Sequence, residues 1–320
     1  MPQRPPLLQA EYLPRFEWRF LMPRYWGVWI LLGVLIILMW LPWSIRRGLA
    51  DWIGTRIFAR HRKRRRIVDI NLAWCFPQLS EAERAGMAED YFRSAARILL
   101  DFGLLWFGSP KRLERSIVMH NAHHLEQARG DEQPVILLTC HNLALEFGAL
   151  ITSRRHEIVG LIKAARNPLF EWLVARGRTR FMCRLIERDA GIRHIVKAVK
   201  MGIIFYYLPD EDLGQTQQTA FLPFFGVQTS TLTSLGRLAR LCNARVVPCY
   251  TRLDGESGKY ILEFFPPLED FPSADELADA TRMNQTLEAL IRTAPEQYMW
   301  SFRIFQTRPA NEPCPYNEPE

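Results

Sequence analysis

From Pro134 onward the sequence switches repeatedly between two hydrophobic periods, and that switching narrows the fold more than any other feature. Pro134 introduces VILLTC, a short continuous apolar run of the kind that forms a strand covered on both faces. Asn142 can cap a following helix, LALEFGALI. EIVGLI then reads as a strand, NPLFEWLVARG and GIRHIVKAVKMG as helices, and IIFYYL as a strand. Beyond the loop PDEDLGQTQQTAFLPFFG a helix is predicted over about 229–242. RVVPCYTRL and YILEFF follow as strands flanking the Asp254-Gly255 turn, and a last long helix covers roughly 273–292. Such alternation predicts an α/β fold: a mixed, largely parallel sheet flanked by helices, closed by an antiparallel pair. Ligands of such sheets gather at the carboxyl ends of strands. His141 and the Asp210 loop both sit at such ends.

The N-terminal part reads differently. No charge falls between Arg24 and Arg46, and GVWILLGVLIILMWLPW is about long enough to cross the ~30 Å hydrocarbon core of a bilayer. Tyr25, Trp26 and Trp29 near one end, with Trp40 and Trp43 near the other, match the preference of amphipathic rings for the two interfaces. No small-residue cleavage site follows, so a retained anchor helix over about 25–45 is expected within an N-terminal region 1–45. The flank after the run is richer in Lys and Arg, which leaves the main domain on the cytoplasmic side; a shallow, half-inserted helix gives the same placement. Of the formal net charge of +7, nearly all is accounted for by Arg60, Arg62, Lys63, Arg64, Arg65 and Arg66. A local basic run beside an apolar segment favours anionic membrane lipid over nucleic acid, although a solvated helix face explains many such runs. Residues 46–110 read as a basic, helical lead-in, with Ser80 and Glu83 forming a capping box. Residues 111–308 form the α/β core, and the Pro- and Asn-rich 309–320 a mobile tail. The six cysteines show no C-x-x-C spacing, so neither a zinc site nor a disulfide framework is expected.

The chemistry-bearing string is H-N-L-A-L-E, with His141 and Glu146 five residues apart. On one regular helix these side chains would point about 140° apart. With His141 just before the helix, its imidazole can fold back so that Glu146 accepts a ring N–H, fixing the tautomer of a general base. An isolated H-x4-E string arises often by chance, and a histidine at a strand end is commonly just hydrogen bonded. Lys163, Arg166, Arg178 and Arg180 can bind phosphate or carboxylate groups, or be plain surface cations. Asp210 and Asp212 can orient a basic group or cap a turn. Cys140, beside His141, reads as a small core residue ending a buried strand rather than a nucleophile. The aromatic stretches FLPFF and YMWSF can line an apolar pocket or belong to ordinary core.

Taken together, HNLALE at 141–146, NPLFEWL at 167–173, GRTR at 177–180, LPDEDLG at 208–214, FFG at 224–226 and PEQYMWSFRIFQTRP at 295–309 resemble the late acyltransferases of lipid A biosynthesis. These lie within the glycerolipid acyltransferase superfamily, which shares an H-x4-E/D pair. The resemblance runs from the apolar anchor nearly to the C-terminus. It implies an acyl-carrier-protein thioester as donor and, as acceptor, a hydroxyl on a Kdo-bearing lipid A precursor, usually that of a 3-hydroxyacyl chain. It implies His141 and Glu146 as the catalytic pair and no metal, cofactor or acyl-enzyme. Lys163, Arg166, Asn167, Arg178, Arg180, Asp210, Asp212, Gly226 and Arg303 fall in or beside its motifs as candidate substrate contacts. The implied location is the bacterial inner membrane, single-pass, with the catalytic domain on the cytoplasmic side. The chain departs from the family pattern in carrying Lys163 and Arg166 around the NP motif and Arg303-Ile304 where paired arginines occur. An acyltransferase for lysophospholipid or another glycolipid is the alternative within enzymology. A non-catalytic, membrane-tethered lipid-binding protein is the alternative outside it.

Overall fold

The computed structural model describes residues 10–163, 165–310 and 312–317. The chain enters through α1 (Trp26–Leu38), α2 (Trp43–Arg60), α3 (Arg62–Cys75), α4 (Glu81–Leu100), α5 (Phe102–Phe107) and α6 (Pro110–Ser116). The sheet is then built from β1 (Ile117–His120), β2 (Val135–Leu138), β3 (Ile158–Ile162), β4 (Cys183–Glu187), β5 (Ile204–Tyr207), and, later in the chain, β8 (Arg245–Leu253) and β9 (Tyr260–Phe264). A separate hairpin pairs β6 (Thr219–Phe224) with β7 (Val227–Leu232). The connecting helices are α7 (His123–Arg129), α8 (Leu145–Arg155), α9 (Pro168–Arg178), α10 (Ile192–Lys200), α11 (Ser234–Cys242) and α12 (Glu276–Arg292).

The seven-stranded sheet has the order β1-β9-β8-β2-β5-β3-β4, and only β8 and β9 run antiparallel. Every residue of β2 and β5 is buried, as their continuous apolar runs require. Ile136, Leu138, Phe205 and Tyr207 pack on one face with α10, α11 and α12. The alternate residues Leu137, Ile204 and Tyr206 pack on the other with Phe147 and Ile151 of α8. Each such aliphatic side chain contributes roughly 1.5–3 kcal/mol by leaving water. The expected mixed, mostly parallel sheet is therefore present. β1 and β4 were not read from the sequence, because IVMH and CRLIE are short and break their apolar runs with polar residues. Residues 229–232 form strand rather than the predicted helix, which begins only at Ser234. Here cross-strand pairing with TAFL at 219–222 decides a Thr-rich stretch of weak local preference, through a two-residue turn in which Phe225 and Gly226 both take positive φ, 51° and 77°.

The N-terminal segment differs most from expectation. α1 has 13 residues, about 20 Å at 1.5 Å per residue, against ~30 Å of hydrocarbon. The chain turns after Leu38, and Pro42, which has no N–H to donate, stands at the start of α2. Arg46 is buried there in an ion pair with Asp101, whose second oxygen accepts from the Tyr260 hydroxyl at 2.9 Å. The inner side of α1 is packed: Leu35 meets Gly103 of α5, where an added Cβ would lie 2.1 Å from the Leu35 carbonyl oxygen, and Leu32 clusters with Leu169 and Leu173 of α9. Its outer side stays open, with Ile30 68% and Ile37 67% exposed, as is Trp40 at 70% in the turn that follows. The single-span anchor over residues 25–45 is thus corrected: among the described residues no helix is long and apolar enough to cross a membrane.

The expected capping box is formed, with Ser80 Oγ accepting from the Glu83 N–H and Glu83 accepting from the Ser80 N–H. The expected mobile tail is instead held against the core as far as Asn317. The buried Tyr316 hydroxyl donates to Asn71 Oδ1 at 2.5 Å and accepts from the Phe305 N–H at 3.1 Å, and Arg66 donates to the Asn317 carbonyl. Residues 311 and 318–320 lie outside the described residues.

Candidate active site

β2 and β5 are parallel neighbours with Leu138 opposite Tyr207. Three residues beyond these partners stand His141 and Asp210, so the register alone brings them level at the carboxyl edge of the sheet. Asp210 Oδ1 lies 2.8 Å from His141 Nδ1, and its Oδ2 accepts the His141 backbone N–H at 2.8 Å. An ionised carboxylate can only accept, so Nδ1 carries the proton and Nε2 is left unprotonated as a base. The backbone here is further fixed by the C-terminal YMW stretch, since the His141 carbonyl accepts from the Met299 N–H at 3.0 Å and the Leu143 N–H donates to the Gln297 carbonyl at 2.8 Å. Phe302 packs against the imidazole, with ring centroids 5.2 Å apart.

Asp210 is 2% exposed and the His141 side chain 25%. Burial pulls the imidazole pKa down, but the Asp210 charge and hydrogen bond, helped by Glu211, outweigh it, and the net shift is upward despite Arg178. Burial likewise raises the Asp210 carboxyl, and the attraction of His141 with its two hydrogen bonds reverses this to a net lowering. The Tyr298 hydroxyl, also buried, lies beside the same carboxylate without completing a hydrogen bond of normal geometry.

Glu146 stands in the first turn of α8 and Arg178 in the last turn of α9, where each charge complements its helix dipole. Arg178 Nε lies 3.0 Å from both Glu146 oxygens, and its Nη2 also donates to Oε1. The sequence expectation that Glu146 holds the His141 ring is thereby corrected: the ring's carboxylate is Asp210, and Glu146 is engaged by Arg178. A helical start only at Leu145, with Ala144 as the cap, leaves Asn142 free of the capping role predicted for it. Asn142 bridges to Tyr298 instead.

His141, Glu146 and Arg178 line one cavity together with Leu105, Trp106, Leu145, Ala149, Leu150, Ile158, Gly160, Leu161, Gly177, Cys183, Leu185, Tyr206 and Leu208. Polar groups therefore gather at the sheet edge, and the rest of the wall is hydrocarbon. A second, polar cavity is lined by Lys163, Arg188, Asp189, Glu211, Asp212, Leu213, Gly214, Gln306 and Thr307. Glu211, next to Asp210 in the chain, pairs there with Arg188 at 2.7 Å.

The remaining candidates separate by what they touch. Asp212 scaffolds the loop, accepting from the Gly214 and Thr307 N–H groups at 2.9 and 2.6 Å. Asn167 caps α9, accepting from the N–H groups of Leu169 and Phe170. Arg180 ties down the end of α5 through the carbonyls of Leu105 and Gly108. Gly226 occupies the β6–β7 turn, Arg303 is exposed near the Tyr316 ring, and Arg166 is exposed just before α9. The sequence did not single out Arg188 or Tyr206. Glu211 carried a signal only as the middle residue of LPDEDLG.

A Haemophilus influenzae lipid A biosynthesis acyltransferase is 32% identical over 305 residues, 95% of each chain. The Escherichia coli lipid A biosynthesis lauroyltransferase is 34% identical over 305 residues, 95% of this chain and 99% of its own, and the Escherichia coli myristoyltransferase 32% over 308, 96% and 95%. A crystal structure of the 1-acyl-sn-glycerophosphate acyltransferase from Thermotoga maritima aligns over 79% of this chain and 97% of its own. Its 15% identity and TM-score of 0.36 are too slight to build on. Residues 13–307 match the family model for bacterial lipid A biosynthesis acyltransferases, and with relatives of this similarity along nearly its whole length the chain belongs to that family.

Proposed function

We propose that the chain transfers a fatty acyl group from an acyl-carrier-protein thioester to a hydroxyl, that of a 3-hydroxyacyl chain, on a Kdo-bearing lipid A precursor. The observation that carries this reading is the His141–Asp210 pair at the polar end of an otherwise apolar cavity. His141 Nε2 takes the proton of the acceptor hydroxyl as its oxygen attacks the thioester carbonyl. Asp210 holds the ring in the productive tautomer and stabilises the imidazolium as it forms. Collapse of the tetrahedral intermediate breaks the C–S bond, and the imidazolium returns the proton to the departing thiolate. Arg178, kept charged by Glu146, gives the oxyanion a nearby positive charge. Lys163 and Arg188 in the adjoining polar cavity offer cations to the phosphate or sugar carboxylate of the acceptor.

The acceptor is a membrane lipid, and the outward side of α1 supplies a seat for it. Trp26, Ile30, Leu31, Val34, Ile37 and Trp40 are exposed along one short stretch, flanked by Trp18, Leu21 and Met22. A helix of this kind lies in one leaflet with its apolar side among acyl chains and its tryptophans at the interface. The exposed Arg62, Lys63 and Arg64 add attraction to anionic headgroups of the cytoplasmic leaflet of the inner membrane, on the order of 1 kcal/mol each near the surface, and offer a basic face to an acidic carrier protein.

The test is thiol release and product mass with purified protein, offering acyl-carrier-protein and acyl-CoA donors against lipid A precursor and lysophospholipid acceptors. His141→Ala should abolish transfer while the circular dichroism of the fold is kept. Transfer to lysophospholipid alone would move the acceptor assignment. Lipid binding with no thioester consumed by the wild type would refute the enzyme reading of the site.

A further inference from the structure

The wall of the apolar cavity has one gap, and its position bears on which acyl chain the cavity accepts. β3 and β4 run parallel with Ile158 beside Cys183 and Gly160 beside Leu185. All four line the cavity. Alternate strand residues share a face, so these residues make one continuous patch in which Gly160 alone has no side chain. Nothing packs into the space it leaves, because a Cβ added at Gly160 would meet no atom within 4 Å. Gly177 across the cavity is different: a Cβ there would lie 2.3 Å from Cδ1 of Trp106, and close packing accounts for that glycine.

Backbone geometry does not call for glycine at 160 either. Gly160 is not among the glycines of positive φ, and glycine in a strand interior weakens the strand. What the missing side chain provides is open cavity. Its depth suits that role. Ile158 pairs with Ile204 and Val159 with Phe205, so Gly160 is level with Tyr206, four residues before Asp210, or roughly 13 Å at strand spacing. That is the reach of a medium-length fatty chain extending from a carbonyl beside His141.

We propose that Gly160 is the chain-length gauge of this acyltransferase: the open position beside Leu185 accommodates the distal methylenes of the donor chain, and any side chain there shortens the acyl group that is transferred. The inference rests on the acyl-transfer reading above. Each methylene kept out of an apolar site costs about fourfold, so a preference shortened by two carbons changes the long-to-short ratio by about 15-fold.

The experiment is a graded series, Gly160→Ala, Gly160→Val and Gly160→Leu, given a mixed pool of saturated acyl-carrier-protein thioesters of graded length with a lipid A precursor acceptor. The acylated product is read by mass spectrometry. The expected result is a preferred chain that shortens stepwise from Ala to Val to Leu, with the long-to-short ratio falling at least tenfold by Val. Should Leu fail to fold, Ala and Val decide, since both are at home in a strand of this kind. Variants that still transfer with the wild-type length distribution, or that lose all lengths in equal proportion, overturn the gauge. A wild type that transfers no acyl group from any donor overturns the underlying acyl-transfer reading, a different and separately visible outcome.

Discussion

Replacing Asp210 by Asn probes the catalytic pairing most directly, because the geometry leaves the amide no good arrangement. Asp210 accepts twice from the same residue, with Oδ1 facing the His141 ring and Oδ2 its backbone N–H, both at 2.8 Å. If the amide oxygen keeps the ring contact, its NH2 faces the backbone N–H, donor against donor. If the amide is flipped, its NH2 faces Nδ1, the ring proton moves to Nε2, and the base is lost. The first choice leaves buried donors unsatisfied at a cost of roughly 1–3 kcal/mol. The second removes general-base catalysis, typically 10²- to 10⁴-fold or about 3–5 kcal/mol of barrier. Asp210→Asn should therefore lower kcat in thiol release at least about 100-fold with little change in KM. Residual activity should also titrate differently. In the wild type the acid limb of the rate profile should lie above the ordinary imidazole value of about 6.5, since Asp210 overcomes the burial that lowers it. Without that charge, burial and Arg178 remain and the limb should move to lower pH. Near wild-type kcat with an unmoved acid limb in Asp210→Asn would falsify the assignment of Asp210 as the carboxylate that orients the ring.

Four further outcomes follow from the same contacts. Glu146→Gln keeps the shape but removes the negative charge paired with Arg178, and should reduce turnover while leaving the acid limb set by His141 and Asp210 in place; a shift of that limb equal to the Asp210→Asn shift would contradict the separation of the two pairs. The His141–Asp210 pair also has a stability window. The raised His141 pKa gives stability present below about 6.5 and lost as pH rises through the folded value, and the lowered Asp210 pKa gives stability present above about 3.9 and lost as pH falls through its own. Wild type and Asp210→Asn should therefore differ most in thermal unfolding between about pH 4 and 6.5. Arg46→Ala strands the buried Asp101 carboxylate with only the Tyr260 hydroxyl, so urea unfolding should show a loss of about 3–5 kcal/mol. Ile30→Ser combined with Ile37→Ser should weaken binding to anionic vesicles while leaving the midpoint of unfolding in place, because both side chains already face outward; equal vesicle binding would argue against α1 as the seat.

Much of the fold is legible from periodicity. VILLTC, EIVGLI and IIFYYL read as strands and form them, and the helices between them favour parallel connections. Two of the motif strings, HNLALE and LPDEDLG, do meet at one edge of the sheet. Local sequence went astray where pairing partners far along the chain decide the outcome. Residues 229–232 became strand because residues 219–224 were available to pair with them. The apolar run after Arg24 folded as a short helix and a turn because Gly103, Leu169 and Leu173 offered it a surface and Asp101 a partner for Arg46.

The amino-acid sequence by itself determined the alternating α/β architecture, the family, and the histidine and carboxylates carried by the motif strings. Which carboxylate serves the imidazole was a matter of tertiary structure. Glu146 is near His141 in the chain but rides on a helix toward Arg178, whereas Asp210 is 69 positions away and adjacent in space. The physical reason is the parallel register of β2 and β5: hydrogen bonds between strands fix which residues are level, and no count of residues along one strand contains that information.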